Sequence, residues 1–376
     1  MKTPLLMLLA AALIGCTSPG PTVARTTPLT QPTLATTEEV GSSRNARIAV
    51  LRAKRPAQLT YFAREMTSEE RVEVEQLAPH LTIVVGLSRE DALSRAAEAN
   101  GVDASYATPE FLQAAKNLVW VQAQSAGVDR YLTIPELATE EIVLTNMRGV
   151  HGPAIADHAF AMLLVLTRDL PTHLEGRTQG KWQREGSGVL TPDALTDKTL
   201  LVVGLGGIGT EIARRGHGFG MHVIATRRSA EPVPDFVERV GKPEDLLTLL
   251  PQADVVAIAV PLTPTTTGMF DQNAFNAMKP GSYLINIARG KVVDTGALIE
   301  VLASGHLGGA CLDVTDPEPL PPDSPLWKFP NVVITPHVAS RAEATDVRAW
   351  ALFRENLRRF DAGEPLLNVV DRTAGY

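Results

Sequence analysis

Apolar and polar positions follow a repeating pattern from about residue 45 to the C-terminus. Short runs rich in β-branched residues, typical of buried strands, are separated by stretches in which apolar residues recur at helical spacing. The predicted strands are Arg47–Leu51, Leu81–Val85, Leu118–Gln122, Ile142–Thr145, Thr199–Val203, Met221–Ala225, Val255–Val260, Ser282–Ile287, Gly309–Val314 and Val332–Ile334. Strands that alternate with helices build parallel sheets covered by helices on both faces. The pattern therefore predicts an α/β fold with room for two such sheets.

The segment Pro153–Leu170 is apolar nearly all round, which is unusual for a surface helix. Pro153 is well placed in a first helical turn. Asp157, His158, Arg168 and Asp169 interrupt the segment, and each would be costly in hydrocarbon. We therefore predict a helix buried between domains or between subunits, not a membrane span.

The N-terminus has a different pattern. Lys2 precedes an apolar run over Leu5–Ile14, and the run ends at Gly15 and Cys16. This order resembles the bacterial lipobox, whose cysteine is lipidated and becomes the new N-terminus, so residues 1–16 are predicted to be a lipoprotein signal segment. The run is about half of the roughly 20 residues that span a bilayer, which disfavours a retained transmembrane helix. Residues 17–45 are rich in Thr, Pro and Ser and are predicted to form a disordered tether.

A glycine-rich turn lies between the strand Thr199–Val203 and a predicted helix. The residues of this turn are Gly204, Gly206, Gly207, Ile208 and Gly209. In a strand–turn–helix context, the pattern indicates a dinucleotide site. Gly204 permits the tight turn, Gly206 lets the backbone approach a pyrophosphate, and Gly209 allows the helix to pack closely. The N-terminus of the helix would then face the phosphates.

The end of the next strand indicates which nicotinamide cofactor is bound. NAD sites usually have an Asp or Glu roughly 20 residues after the turn, where it accepts hydrogen bonds from ribose hydroxyls. This chain has Thr226, Arg227, Arg228 and Ser229 there. Two guanidinium groups and a hydroxyl suit the extra phosphate of NADP. The sequence therefore favours NADP(H), with NAD(H) as the alternative because an arginine pair can also be simply solvated.

Charge and cysteine content exclude several other functions. The net charge is −7, and no basic block is long enough to follow a phosphate backbone, so we expect no nucleic-acid partner. The two cysteines, Cys16 and Cys311, lie too far apart in sequence and context to indicate a disulfide framework. Cys311 lies in an apolar run and is predicted to be a buried strand residue. No cluster of His, Cys and carboxylates has the spacing of metal ligands, so no metal site is predicted.

Four further motifs follow the glycine turn in order. They are Val260–Thr266, Ile285–Gly290, Leu312–Pro319 and Ile334–Ala339. In this order and spacing they resemble the D-isomer-specific 2-hydroxyacid dehydrogenase family, and the resemblance extends over roughly residues 46–372. Ser125–Asp129 and the closing segment Glu355–Val370 are also similar to that family.

The resemblance implies two Rossmann-like or flavodoxin-like parallel-sheet domains with a cleft between them. Residues 46–148 and 339–376 would form the substrate-binding domain, and residues 149–338 the NAD(P)-binding Rossmann domain. The helix that begins at Pro153 would lie at a dimer interface. We therefore expect a homodimer.

Three residues have the chemistry that a 2-keto acid reductase needs. Hydride transfer to the carbonyl carbon requires a cation for the substrate carboxylate and a proton for the carbonyl oxygen. Arg289 has a planar donor fork suited to a carboxylate, and His337 can hold or release a proton near neutrality. Glu318 at the far ring nitrogen would orient the imidazole and favour its charged form. Arg289, Glu318 and His337 are thus the predicted catalytic residues.

The resemblance alone assigns the remaining site residues. The cofactor pocket would be completed by Pro261, Thr266, Ala288 and Asp313, with Asp313 orienting the nicotinamide. The backbone of Ala126 and Gly127 would complete the site for the substrate carboxylate.

These features together predict an NAD(P)-dependent oxidoreductase that acts on the CH–OH group of small D-2-hydroxy acids or reduces the matching 2-keto acids, similar to a glyoxylate or hydroxypyruvate reductase. One alternative is a lipid-anchored nucleotide-binding or sensing protein without turnover. A second is another dehydrogenase reaction on the same scaffold, such as oxidation of formate or phosphite. The expected location is a lipid-anchored position facing the periplasm or cell exterior if Cys16 is processed, and the cytoplasm if the true start lies downstream.

Overall fold

A computed structural model describes residues 58–139 and 141–375 of the chain. Three predictions lie outside these residues: the lipidation site at Cys16, the tether over residues 17–45, and the strand Arg47–Leu51.

The first sheet has five parallel strands in the order β2-β1-β3-β4-β5. They are β1 (Leu59–Ala63), β2 (Leu81–Val85), β3 (Gly101–Asp103), β4 (Trp120–Gln122) and β5 (Val143–Thr145). The helices between and after them are α1 (Ser68–Leu77), α2 (Arg89–Ser94), α3 (Pro109–Ala114), α4 (Asp129–Leu132) and α5 (Pro135–Ala138).

The second sheet has seven parallel strands in the order β12-β11-β10-β9-β6-β7-β8. They are β6 (Thr199–Val203), β7 (His222–Thr226), β8 (Arg239–Gly241), β9 (Val255–Ile258), β10 (Tyr283–Asn286), β11 (Gly309–Leu312) and β12 (Val332–Ile334). The other helices are α6 (Gly152–Thr167), α7 (Leu170–Thr178), α8 (Gly207–Gly218), α9 (Leu246–Leu249), α10 (Gln272–Ala277), α11 (Thr295–Ala303) and α12 (Glu343–Ala362).

Both faces of the second sheet are buried, as expected for parallel strands covered by helices. Along β6, Leu201 and Val203 belong to the apolar cluster on one face, whereas Leu200 and Val202 belong to the cluster on the other. These two sheets confirm the predicted fold class of two parallel-sheet α/β domains.

The C-terminal helix α12 packs on the first sheet, although it follows the second in sequence. The Phe360 ring lies 5.0 Å from that of Trp120, and the Phe353 ring lies 5.5 Å from that of Tyr61. On the same helix, the buried Asn356 donates from Nδ2 to Oε1 of Gln122 in β4 over 3.2 Å. The chain therefore leaves the first sheet after β5, builds the second, and returns to the first.

Every predicted strand within the described residues is present, with ends shifted by a few positions. The pattern missed three strands: Leu59–Ala63, Gly101–Asp103 and Arg239–Gly241. The last two are three residues long, too short for a period of two to be recognised. Leu59–Ala63 follows closely on the charged stretch Arg52–Arg55, which obscured its apolar character.

The apolar helix predicted over Pro153–Leu170 is α6, and it ends earlier than predicted, at Thr167. The chain turns at Asp169, which has a left-handed φ of 49°, and continues as α7. The buried side chains of α6, among them Ile155, Phe160 and Leu163, pack in the core of the second sheet. Among the described residues, no helix is both long and apolar enough to span a membrane.

Cys311 is fully buried in β11, as predicted, and burial raises the pKa of its thiol. The described residues contain no cluster of His, Cys, Asp and Glu that could hold a metal ion.

Candidate functional site

The glycine turn after β6 has the close approaches that its glycines were predicted to allow. Gly204 has a φ of 102°, and a Cβ there would lie 2.8 Å from Cγ1 of Val260. A Cβ on Gly209 would overlap the carbonyl oxygen of Gly204. Because no side chain fits at either position, the turn can bring the start of α8 close to the end of β6 only with glycines.

The N-terminus of α8 is open to a ligand. Gly206 is the N-cap and supplies no side-chain hydrogen bond, so the first backbone N–H groups of the helix face outward uncapped. Gly206 and Gly207 are exposed, with Ile208 half-buried behind them, and a Cβ on Gly206 would meet nothing within 4 Å. The backbone N–H groups of Gly204 and Leu205 donate to the carbonyl oxygen of the buried Thr226 and hold the turn in place. Such a helix start fits the pyrophosphate of a dinucleotide.

The two arginines after β7 differ in exposure: the side chain of Arg227 is mostly buried, whereas Arg228 is exposed. Arg227 has a side chain that is 9% exposed, and its guanidinium donates to the carbonyl oxygens of Ser229, Glu231 and Pro232. Arg228 and Ser229 are exposed. Arg227 thus holds its own loop, and Arg228 and Ser229 are the side chains presented outward.

Arg289 follows β10 and contacts the loop that carries the second predicted half of the carboxylate site. Nε of Arg289 donates to Oδ1 of Asp129 over 3.2 Å, and Nη2 lies 3.1 Å from the same oxygen as an ion pair. Nη1 donates to the carbonyl oxygen of Ala288 over 2.7 Å. A Cβ on Gly127 would overlap Nη2 of Arg289. The structure therefore brings Arg289 and the Ala126–Gly127 loop together, and it does so only because residue 127 is a glycine.

Buried asparagines fix both sides of this contact, and the sequence analysis missed them. Asn146 donates from Nδ2 to the carbonyl oxygen of Ala126 over 2.9 Å. Asn286, the last residue of β10, accepts from the N–H of Ala288 at Oδ1 over 3.1 Å and donates to the carbonyl oxygen of Arg289 over 3.0 Å. An asparagine within an otherwise apolar strand run was the available signal, since a buried amide must find partners.

His337 and Glu318 form a direct pair. Nδ1 of His337 lies 2.6 Å from Oε1 of Glu318, and both side chains are nearly half exposed, at 45% and 42%. With Nδ1 bonded to the carboxylate, Nε2 is the ring nitrogen available to a substrate. His337 has a left-handed φ of 53°, a conformation that costs energy for a non-glycine residue.

Asp313, which is 2% exposed, holds the backbone around His337 in that conformation. Its Oδ1 accepts from the Thr335 hydroxyl over 2.7 Å and from the Val338 N–H over 2.9 Å. Its Oδ2 accepts from the Ala339 N–H over 3.0 Å, and its carbonyl oxygen accepts from the His337 N–H over 2.8 Å. The carboxylate thus fixes the loop immediately before and after His337.

A histidine that the sequence analysis left without a role joins this network. Nε2 of His158, on α6, lies 2.9 Å from the Thr335 hydroxyl and 3.7 Å from Oδ1 of Asp313. Its position could not be read from the sequence, because the two partners lie more than 150 positions away.

Thr266 forms hydrogen bonds within the loop that follows β9. The Thr266 hydroxyl donates to the carbonyl oxygen of Pro261 over 2.6 Å and accepts from the N–H of Thr263 over 2.8 Å. Thr266 is 8% exposed, so its hydroxyl shapes the loop at Pro261.

These features lie on one edge of the second sheet. Because its strands are parallel, the residues that follow them share the carboxyl edge. Along the sheet order, this edge carries His337 after β12, Asp313 after β11, Arg289 after β10, Pro261 after β9 and Gly204 after β6. The glycine turn lies where the strand order reverses, which is where open α/β sheets bind ligands.

Comparisons with known proteins show which family the chain belongs to. Residues 160–339 match the family model described as "D-isomer specific 2-hydroxyacid dehydrogenase, NAD binding domain". The chain is 38% identical over 260 residues to the glyoxylate reductase of Thermofilum pendens, covering 68% of this chain and 75% of that protein. It is 32% identical over 313 residues to the D-3-phosphoglycerate dehydrogenase of Archaeoglobus fulgidus, covering 82% of this chain. It spans only 58% of that relative's length.

A solved structure shows the same likeness. The fold matches that of the NADPH-dependent glyoxylate/hydroxypyruvate reductase from Sinorhizobium meliloti, in complex with NADP and sulfate, with a TM-score of 0.71 and 28% sequence identity. The match covers 85% of this chain and all of that one.

The predicted location as a lipid-anchored protein facing the periplasm or cell exterior is contradicted by these comparisons. It rested on Cys16 and the apolar run before it, which lie outside the described residues. The relatives that the chain matches are dehydrogenases and reductases, and none of those named here is described as a lipoprotein.

The comparisons confirm the predicted family, the class of enzyme and the nicotinamide cofactor. This chain belongs to the D-isomer-specific 2-hydroxyacid dehydrogenase family of NAD(P)-dependent oxidoreductases.

Proposed function

We propose that this chain reduces a small 2-keto acid of the glyoxylate or hydroxypyruvate type, with NADP(H) as its preferred cofactor. The observation that supports the proposal is the shared sheet edge, along which lie the glycine turn, Arg289 and the pair of His337 and Glu318. Two matched relatives, from Thermofilum pendens and Sinorhizobium meliloti, are named as reductases of this type.

Arg289 would bind the substrate carboxylate. A guanidinium has five N–H groups. Nε donates to Asp129 and Nη1 donates to the carbonyl oxygen of Ala288, whereas Nη2 lies 3.1 Å from Oδ1 of Asp129. N–H groups therefore remain on both terminal nitrogens, which together form the fork that a carboxylate accepts. The backbone of Ala126 and Gly127, directly beside Nη2, would complete the site.

His337 would supply the proton. Nε2–H donates to the carbonyl oxygen as negative charge develops there, and in the reverse direction Nε2 accepts the proton from the hydroxyl. Glu318 accepts the hydrogen bond from Nδ1 and so keeps the proton to be transferred on Nε2. Asp313 would act on this step by holding the His337 backbone.

The residues present fit a nicotinamide dinucleotide. When bound, the reduced cofactor supplies the hydride. The uncapped start of α8 would hold the pyrophosphate, with Pro261, Thr266 and Ala288 toward the nicotinamide. Because positions 226–229 at the end of β7 have no carboxylate, the exposed Arg228 and Ser229 would meet the 2′-phosphate of NADP.

The domain roles follow from the same geometry. We propose that residues 46–148 and 339–376 form the substrate-binding domain, because α12 packs on the first sheet. Residues 149–338 would form the cofactor-binding domain. Assembly into a homodimer through α6 remains an expectation from the family resemblance.

Turnover of the purified full chain tests this function. We expect oxidation of NADPH with glyoxylate or hydroxypyruvate, weaker oxidation of NADH, and pyruvate as a comparison for side-chain size. Binding of the nucleotide without oxidation by any keto acid would contradict the proposal. Reduction of NADP by formate or phosphite alone would instead indicate another dehydrogenase reaction.

A further inference from the structure

The guanidinium of Arg289 joins the two sheets. Arg289 follows β10 of the second sheet, whereas Asp129 begins α4, which follows β4 of the first sheet. The two residues are 160 positions apart, and one carboxylate oxygen of Asp129 accepts a hydrogen bond from Nε and forms an ion pair with Nη2 at 3.1 Å. The side chains are 27% and 30% exposed, so the pair is sheltered more than a surface ion pair.

This contact determines which edge of the guanidinium a ligand can reach. Nε and Nη2 form one edge of the planar group, and the two terminal nitrogens form the other. Either edge can bind a carboxylate through two parallel hydrogen bonds. Asp129 occupies the first edge, so a substrate carboxylate would bind at the second edge, whose Nη1 also donates to the carbonyl oxygen of Ala288.

Gly127 also constrains the position of the Arg289 guanidinium. It lies two residues before Asp129 on the same loop, and Nη2 of Arg289 occupies the space that a side chain would take. The loop therefore leaves space for the guanidinium at Gly127 and contacts its Nε/Nη2 edge through Asp129. The second edge includes Nη2, the nitrogen that lies against Gly127.

We propose that Asp129 is a positioning residue that fixes Arg289 for the substrate carboxylate. The inference rests on the proposed function, since it assigns Asp129 a part in binding the same 2-keto acid. Without Asp129, Arg289 would have two usable edges and more rotamers, so the productive orientation would be populated less often.

The test compares Asp129→Ala and Asp129→Asn in the full chain by steady-state kinetics with glyoxylate and NADPH. We expect Asp129→Ala to raise the KM for glyoxylate by about tenfold or more, because a charge-assisted contact is lost. The KM for NADPH should change less than about twofold, since Asp129 contacts Arg289, the residue proposed to bind the substrate carboxylate. Asp129→Asn keeps an acceptor oxygen and should give a KM for glyoxylate about threefold above that of the wild type.

Oxalate provides a readout of binding alone, because it presents a carboxylate and does not react. Its inhibition constant should rise by the same factor as the KM for glyoxylate. The matched control is Glu98→Ala, which removes an exposed ion pair with Arg95 in the first-sheet half and should leave every constant unchanged.

Each outcome decides between the two proposals. If the wild-type protein oxidises NADPH with no keto acid, the proposed function fails and the role of Asp129 fails with it. If the wild type is active but Asp129→Ala keeps its KM for glyoxylate, only the positioning role is overturned. Equal rises in both KM values would also overturn it, because they indicate a general structural defect. If Asp129→Ala does not fold, the Asp129→Asn variant decides: a KM for glyoxylate equal to that of the wild type would overturn the positioning role.

Discussion

The carboxylate of Asp313 is a buried side chain that fixes the loop around His337. Its oxygens accept hydrogen bonds from Thr335, Val338 and Ala339, so the charge is satisfied although it is 2% exposed. The family resemblance assigned Asp313 to the nicotinamide. The hydrogen bonds observed here place it under the His337 loop, so its loss should act through His337 as well as through the fold.

Substitutions at His337 and Asp313 should therefore have different signatures. His337→Ala should lower kcat by about 10²–10⁴-fold, with the Kd for NADPH retained, because it removes the proton donor. Asp313→Ala should lower kcat too and also reduce the free energy of unfolding by about 2–4 kcal/mol, because two N–H groups lose a buried acceptor.

Urea unfolding and steady-state kinetics on the same samples separate the two effects. An unchanged kcat in His337→Ala would refute its role as the proton donor. An Asp313→Ala protein as stable as the wild type would show that the loop does not depend on this carboxylate.

The two arginines after β7 should also differ. Arg228→Ala should raise the KM for NADPH by about tenfold and hardly change that for NADH, because only NADPH has the 2′-phosphate. Arg227→Ala should in addition lower the Tm, since the guanidinium of Arg227 holds three carbonyl oxygens of its loop. Equal effects of Arg228→Ala on both cofactors would remove the basis for preferring NADP(H).

Elements that carry local signals could be predicted from the sequence. The glycine turn follows a strand and begins a helix, so residues adjacent in sequence determine its geometry. The partners of the site side chains are not local: Asp129 meets Arg289, and Asn146 meets Ala126, through the folded chain. No periodicity or spacing encodes such contacts, which explains why candidate site residues could be named from the sequence and their hydrogen-bond partners could not.

The start of α6 has a pH-sensitive residue. His151 is the N-cap of this helix, and burial lowers its pKa, although a hydrogen bond with the backbone of Met147 and the charge of Asp346 act in the opposite direction. Its Nδ1 is buried and has no hydrogen-bond partner. The folded protein therefore favours the neutral ring, whereas the unfolded chain binds a proton near its ordinary pKa of about 6.5.

Stability should consequently fall as the pH decreases below about 6.5, because the unfolded state then binds more protons than the folded state. Urea unfolding at a series of pH values measures this slope. His151→Gln should flatten it in that range. If the slope is the same in the variant, burial of His151 does not contribute to it.

The proposed function of the whole chain depends on two sheets that each contribute residues to one substrate site. The second sheet presents the cofactor turn, Arg289 and His337 along its carboxyl edge, and the first sheet contributes the loop at Ala126 and Gly127. A hydrogen bond from Arg289 to Asp129 connects the second sheet to this loop of the first sheet. The proposed hydride transfer to a carbonyl group beside a carboxylate would use each of these parts.

The most direct measurement follows the hydride itself. The full chain is incubated with hydroxypyruvate and NADPH that is deuterated at C4 of the nicotinamide, and the product is analysed by NMR and on a chiral column. The account predicts D-glycerate with deuterium on its second carbon. Bound NADPH with no deuterium in any product, or deuterium in the L-isomer, would contradict it.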